Sequence, residues 1–175
     1  MKKGWILLLA AALLLSGCAR SDAQGAEAGV LASFSAVDLE GNTRDQSVFQ
    51  GKTLTMVNVW ATYCGPCLQE LPEIAEIHEE YQNRGFQLIG IVADVTDPAS
   101  QLGEKAALLA ESTGVAFTNL VAGDSLAERF LKNVTAVPTT IFVDENGAQV
   151  GKTYMGSRSK EQWMAIIDQL LEELS

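Results

Sequence analysis

Two cysteines three residues apart, Cys64 and Cys67, carry the plainest chemistry in this chain. They stand in the run Trp60-Ala61-Thr62-Tyr63-Cys64-Gly65-Pro66-Cys67, and their spacing puts both on one face of a helical turn, able to close a small ring. Such a ring is too short to restrict the unfolded chain much, so a bridge there is expected to be reactive rather than structural. The pair sits where a buried strand hands over to a helix. The first helical turn has unpaired N–H groups and a partial positive charge, which favours an anionic sulfur. Cys64 is therefore the candidate nucleophile, and Cys67, nearer the interior, the candidate resolving thiol. Gly65 and Pro66 suit that turn, where a missing N–H has no cost.

The elements that must position this pair are legible in hydrophobic patterning. Residues Thr53 to Ala61 (TLTMVNVWA) are β-branched or apolar on both faces, as in a central buried strand. From Cys67 to Asn83, Leu68, Leu71, Ile74, Ile77 and Tyr81 recur at helical spacing and the segment stops at Arg84-Gly85. Phe86 to Val95 repeats the buried-strand pattern and completes a βαβ unit with a right-handed crossover. Ser33 to Asp38, with a turn at Leu39-Glu40-Gly41-Asn42, predicts an opening hairpin. A helix is expected from Pro98 to Thr113, a short strand over Phe117 to Val121, and a short helix behind a capping box at Ser125-Leu126-Ala127-Glu128. Thr139 to Val143 and Gln149 to Met155 form a second hairpin, its tight turn at Asn146-Gly147. A capping box at Ser159 to Gln162 then introduces a stripe of Trp163, Ile166, Ile167, Leu170, Leu171 and Leu174. The pattern is an α/β fold, a mixed central sheet with helices on both faces.

The chain is 175 residues long, 47% hydrophobic, with 12 basic and 22 acidic side chains and a net charge of -10. That length is one domain's worth, too apolar to be disordered. No cluster of Lys and Arg interrupts the negative balance, which argues against nucleic acid as a partner. Lys2 and Lys3 precede an apolar run from Trp5 to Leu15, about eleven residues where a membrane span needs roughly 20, so the run is expected to be a signal peptide. It ends in Leu15-Ser16-Gly17-Cys18, which resembles the lipobox of bacterial lipoproteins. That resemblance implies cleavage before Cys18 and lipid attached to its sulfur. The expected organisation is a signal peptide over 1–17, a flexible tether of small and polar residues over 18–29, and a folded domain over 30–175. The expected location is the outer face of the bacterial cytoplasmic membrane, periplasmic or extracellular, anchored to the membrane by lipid. If Cys18 carries lipid, Cys64 and Cys67 are the remaining thiols in an oxidising compartment and must pair or react.

The run WATYCGPC resembles the active site of the thioredoxin superfamily. The exported signal, the opening hairpin, the Cys-x-x-Cys-x-x-Glu-x-Pro run from Cys64 to Pro72 and the extra helix before Val137-Pro138-Thr139 are most similar to the TlpA/ResA-like thiol-disulfide oxidoreductases. This resemblance implies a thioredoxin-like fold with an N-terminal hairpin and an inserted helix. It makes Pro138 a cis-proline that shields Cys64, with Val137 offering backbone hydrogen bonds to an extended substrate. On the residues alone, a trans proline that merely starts the strand is the favoured reading. Thioredoxin has a buried Asp six residues before the first Cys, where this chain has Asn58, which cannot ionise. Glu70, one turn past Cys67, takes over the proton-carrying role by resemblance, and burial there should raise its pKa. Glu73, Glu76, Glu79 and Glu80 are expected to be solvated. The resemblance makes Trp60 a wall of the active-site surface that contacts substrate, a role compatible with core packing, and Tyr63 is expected as a partly exposed, substrate-contacting neighbour of the nucleophile. The implied partners are protein disulfide substrates, of the apocytochrome c or methionine sulfoxide reductase type, and a membrane-embedded thiol carrier as electron donor. No cofactor is implied.

Two other chemistries compete. A thiol peroxidase would place a Thr three residues before its Cys and a Pro upstream, whereas Thr62 lies two before Cys64. A copper metallochaperone could use two thiols, since Cu(I) is soft, but related carriers add a His beside a Cys-x-x-x-Cys. His78, the single histidine, lies eleven helical residues past Cys67, about 16 Å along the axis. It is expected at the core boundary and not as a metal ligand.

Overall fold

The computed structural model describes residues 29–175. The segments expected as signal peptide (1–17) and, up to residue 28, as tether, with Cys18, lie outside the described residues.

A five-stranded mixed sheet carries the site. Its strands are β3 (Leu54–Trp60), β4 (Phe86–Val92), β5 (Asn119–Val121), β6 (Thr139–Val143) and β7 (Gln149–Met155), in the order β5-β4-β3-β6-β7; β1 (Ser35–Val37) and β2 (Thr43–Asp45) form a separate antiparallel hairpin. β3, β4 and β5 run parallel, and β6 and β7 are antiparallel additions. β3 is buried along its whole length, as its unbroken apolar pattern requires.

Alternation along β3 divides two cores. Leu54, Met56 and Trp60 face Leu71, Ile74 and Ile77 of α1 (Gly65–Tyr81) and Trp163, Ile167 and Leu170 of α4 (Lys160–Glu173), with Ala106 of α2 (Gln101–Ser112) joining them. Val57 and Val59 face the other way, toward Leu126 of α3 (Asp124–Arg129) and toward Leu31, Phe34 and Phe49 of the N-terminal segment. Helices thus lie on both faces, but α3 has six residues and the N-terminal segment covers most of its side. Gly29, expected to end the tether, packs on the β6–β7 turn, where a Cβ would press into Gly147 and Ala148.

Local chemistry moves three boundaries. α1 begins at Gly65, two residues before the expected start, because Cys64 itself is the N-cap. α2 begins after Ser100, whose hydroxyl accepts the Gly103 N–H, so Pro98 lies in the preceding loop. The box expected at Ser125 does not form: Gly123 caps α3 with no side-chain bond, and the Ser125 hydroxyl accepts the N–H of Ser35 instead. The β6–β7 turn also differs, since Gly147 (φ 72°) has positive φ while Asn146 does not. Asp144 takes over by accepting the N–H groups of Asn146 and Ala148, an Asx-type closure. At Ser159 both arms of the capping box are present.

Candidate active site

The strand-to-helix junction between β3 and α1 holds a Cys64–Cys67 disulfide. Cys64 has extended backbone (φ -89°, ψ 96°), and its sulfur accepts the Cys67 N–H at 3.2 Å, so the nucleophile candidate takes one of the orphan donors of the helix end. Cys64 is 6% exposed and Cys67 1%. Tyr63, Gly65 and Pro66 around them are open to solvent. An incoming molecule therefore meets Cys64 first.

One helical turn past Cys67 on α1 lies a carboxylate that is 3% exposed, Glu70. Its Oε1 accepts the indole N–H of Trp163 and the backbone N–H of Arg158, each at 2.8 Å, and its Oε2 faces the Asn58 amide at 3.4 Å. Asn58 also donates to the Thr140 hydroxyl at 3.1 Å, its neighbour across the β3–β6 ladder. Loss of water raises the Glu70 pKa above its ordinary value; the three donors and the Arg158 charge oppose that shift without cancelling it. Of the other α1 carboxylates, Glu73 departs from the solvated expectation, because its Oε2 accepts the Lys160 N–H at 2.7 Å. Glu76 and Glu80 share the Lys160 ammonium at the surface.

The Val137–Pro138 peptide bond is cis. The Pro138 carbonyl accepts the Gly156 N–H, and the Thr139 hydroxyl turns back to the carbonyl of Ala136. Val137, half-buried, lines an open cavity of about 230 Å³ together with Tyr63, Ala93, Leu131, Val134 and Ala136. Tyr63, at 74% exposed, is the most open large apolar residue beside the disulfide. Trp60 corrects one of the two expectations made for it. It is fully buried, its indole N–H bonded to Asn119 Oδ1 at 2.8 Å, so it is core beneath the site and not a wall that substrate touches.

A brace with no sequence signal holds the loop before the nucleophile. Asp94, after β4, accepts both the N–H and the hydroxyl of Thr62, the latter at 2.7 Å, and the Lys105 ammonium of α2 comes within 3.5 Å of the same hydroxyl. Thr62 is 4% exposed, so Asp94→Ala strands two donors away from water. The expected result is a loss of about 1–3 kcal/mol in urea unfolding of the oxidised protein. An unmoved midpoint would mean that Asp94 does not brace the loop.

His78 sits at the core boundary as expected. Its Nδ1 accepts the Leu88 N–H at 3.1 Å beyond the end of the short β5, its ring meets Phe117 edge-on, and burial lowers its pKa. Among the described residues, no group of three His, Cys, Asp or Glu side chains could share a metal ion.

The sequence profile of the Redoxin family matches residues 24–171. The chain belongs to the Redoxin family. Among Redoxin relatives, the thiol-disulfide oxidoreductase ResA of Bacillus cereus (strain ATCC 10987 / NRS 248) is 30% identical over 130 residues, which are 74% of this chain and 70% of that protein. ResA of Halalkalibacterium halodurans is 27% identical over 152 residues, covering 85% and 80%. A thiol:disulfide interchange protein of the thioredoxin family from Chlorobium tepidum TLS has the same fold, with a TM-score of 0.67 and 27% identity over 79% of this chain and 93% of that one. With its Cys64–Cys67 pair, this Redoxin protein is a thiol-disulfide oxidoreductase of the ResA and thioredoxin type.

Proposed function

We propose that the protein reduces disulfides in exported proteins from the outer face of the cytoplasmic membrane, to which lipid on Cys18 anchors it. In the dithiol form, the Cys64 thiolate attacks a substrate disulfide; that S–S bond breaks, and one substrate thiol leaves with a proton from solvent. Glu70 then takes the Cys67 proton, Cys67 attacks the Cys64 sulfur of the mixed disulfide, and the second substrate thiol leaves. Two electrons pass to the substrate and Cys64–Cys67 is left oxidised. A membrane-embedded thiol carrier restores the dithiol. The observation that carries this reading is Glu70, a buried carboxylate caged by three donors one helical turn past Cys67 of the Cys64–Cys67 disulfide.

The direct test compares insulin disulfide reduction by the dithiol form with peroxide turnover and Cu(I) titration. Insulin reduction that depends on Cys64 is expected; rapid peroxide turnover without it would favour a thiol peroxidase, and tight Cu(I) binding without it a metallochaperone. For the anchor, labelled palmitate is expected in the wild-type protein and absent from Cys18→Ala. Equal label in both would remove the lipid from the proposal.

A further inference from the structure

The turn from β7 into α4 has a side chain whose placement the exchange chemistry above leaves unused. Arg158 is half-buried, and its guanidinium carbon lies 4.9 Å from the ring centre of Tyr154 and 5.0 Å from that of Trp163. From there its Nη1 donates to the Gly156 carbonyl at 2.9 Å and reaches the Met155 carbonyl at 3.5 Å. The side chain thus clamps its own turn onto two aromatic rings. That turn presents the Arg158 N–H to Glu70 Oε1, beside the indole N–H of the same Trp163 on which the guanidinium rests. The turn is also tied to the cis-proline, through the Gly156 N–H on the Pro138 carbonyl.

We infer that Arg158 is a positioning residue for Glu70: its planar side chain locks the turn and the Trp163 indole so that two donors converge on one carboxylate oxygen. The inference rests on Glu70 carrying the proton in the proposed exchange. Planarity matters, because a guanidinium can stack on rings and bond two carbonyl groups at once, whereas an ammonium at the same place is a point charge on a flexible stem. The groups facing Glu70 are few. Arg158 comes from the turn, Trp163 from α4 and the neutral Asn58 from β3, itself bonded to Thr140 of β6; on its own helix Cys67 stands one turn earlier and Glu73 is engaged by the Lys160 N–H. Arg158 is the one cation among them.

The test is a pH profile of mixed-disulfide resolution, read by stopped flow with reduced protein and oxidised glutathione, for wild type, R158Q, R158K, E70Q and the E70Q/R158Q double variant. Losing the clamp and the charge removes two supports of the ionised carboxylate, so in R158Q the rise of rate with pH should move upward by about half a unit or more. R158K keeps the charge but not the stack, and should move the same way by less. In the E70Q background, R158Q should add nothing, as expected of residues acting through one group. An R158Q profile that overlays wild type while E70Q differs overturns the positioning role alone, and so does an equal R158Q shift with Glu70 already replaced. An E70Q profile identical to wild type overturns the proton-carrier reading itself. Should R158Q not fold, the R158K profile decides, and its overlay on wild type overturns the inference.

Discussion

Cys67→Ser protein, reduced and then mixed with a disulfide-containing polypeptide, is expected to accumulate as a covalent adduct through Cys64, with turnover reduced by roughly three orders of magnitude or more. The reason is access and order. Cys64 caps the helix at the exposed rim, between open Tyr63 and Pro66, while Cys67 lies one turn inward and is almost fully buried. A substrate disulfide therefore meets Cys64, and the reaction stops at the mixed disulfide when the inner position holds a hydroxyl, which is a far weaker nucleophile than a thiolate at neutral pH. Cys64→Ser should lose turnover to the same extent and form no adduct. The asymmetry between the two variants is the informative result, read by non-reducing gel electrophoresis and mass spectrometry. Adducts on Cys67 in the Cys64→Ser protein would reverse the assignment of the outer and inner sulfur.

The chemistry was legible where it is local. Cys64, Cys67 and Glu70 share one helix, so their spacing alone places them on adjacent turns, and the apolar runs of β3 and β4 announce the strands that support that helix. What surrounds Glu70 was not legible. Trp163 is 93 residues away and Arg158 is 88, and neither the apolar stripe of α4 nor its capping box says that an indole N–H will be aimed at a carboxylate. The same holds for Asp94 and Thr62, which meet because neighbouring parallel strands end at the same level. Trp60 shows the opposite case: the family resemblance implied a surface role beside core packing, but strand alternation turns its ring inward with Leu54 and Met56. The turn at Asn146-Gly147 was misjudged because Asp144 offers two backbone N–H groups an acceptor, which outweighs the dipeptide's own preference.

Glu70→Gln is expected to slow resolution of the mixed disulfide by about 100-fold near neutral pH, while making the oxidised fold more stable there. The two signs have one cause. Burial raises the pKa of Glu70, so across a window that opens near its ordinary value of 4.5 and extends upward, the folded protein binds more protons than the unfolded chain. Stability drawn from the protonated carboxyl is complete below that window and is lost as pH rises through the folded pKa. Glutamine does not titrate, so the variant and wild type should unfold at similar urea concentrations near pH 4, and the variant should hold out longer at pH 8. Its amide oxygen can keep the bonds from Trp163 and Arg158, and Asn58 can turn its own amide to meet the new donor. In kinetics the order inverts. The wild-type rate of resolution should climb with pH as the carboxylate forms and accepts the Cys67 proton, with its midpoint above the usual carboxylate range because of that same burial. In the variant this climb disappears, and only direct ionisation of Cys67 at higher pH remains. A purely structural Glu70 would give equal exchange rates, and that result would return it to the role of a helix side chain that happens to be covered; an absent gain in stability toward alkaline pH would show instead that burial does not raise its pKa.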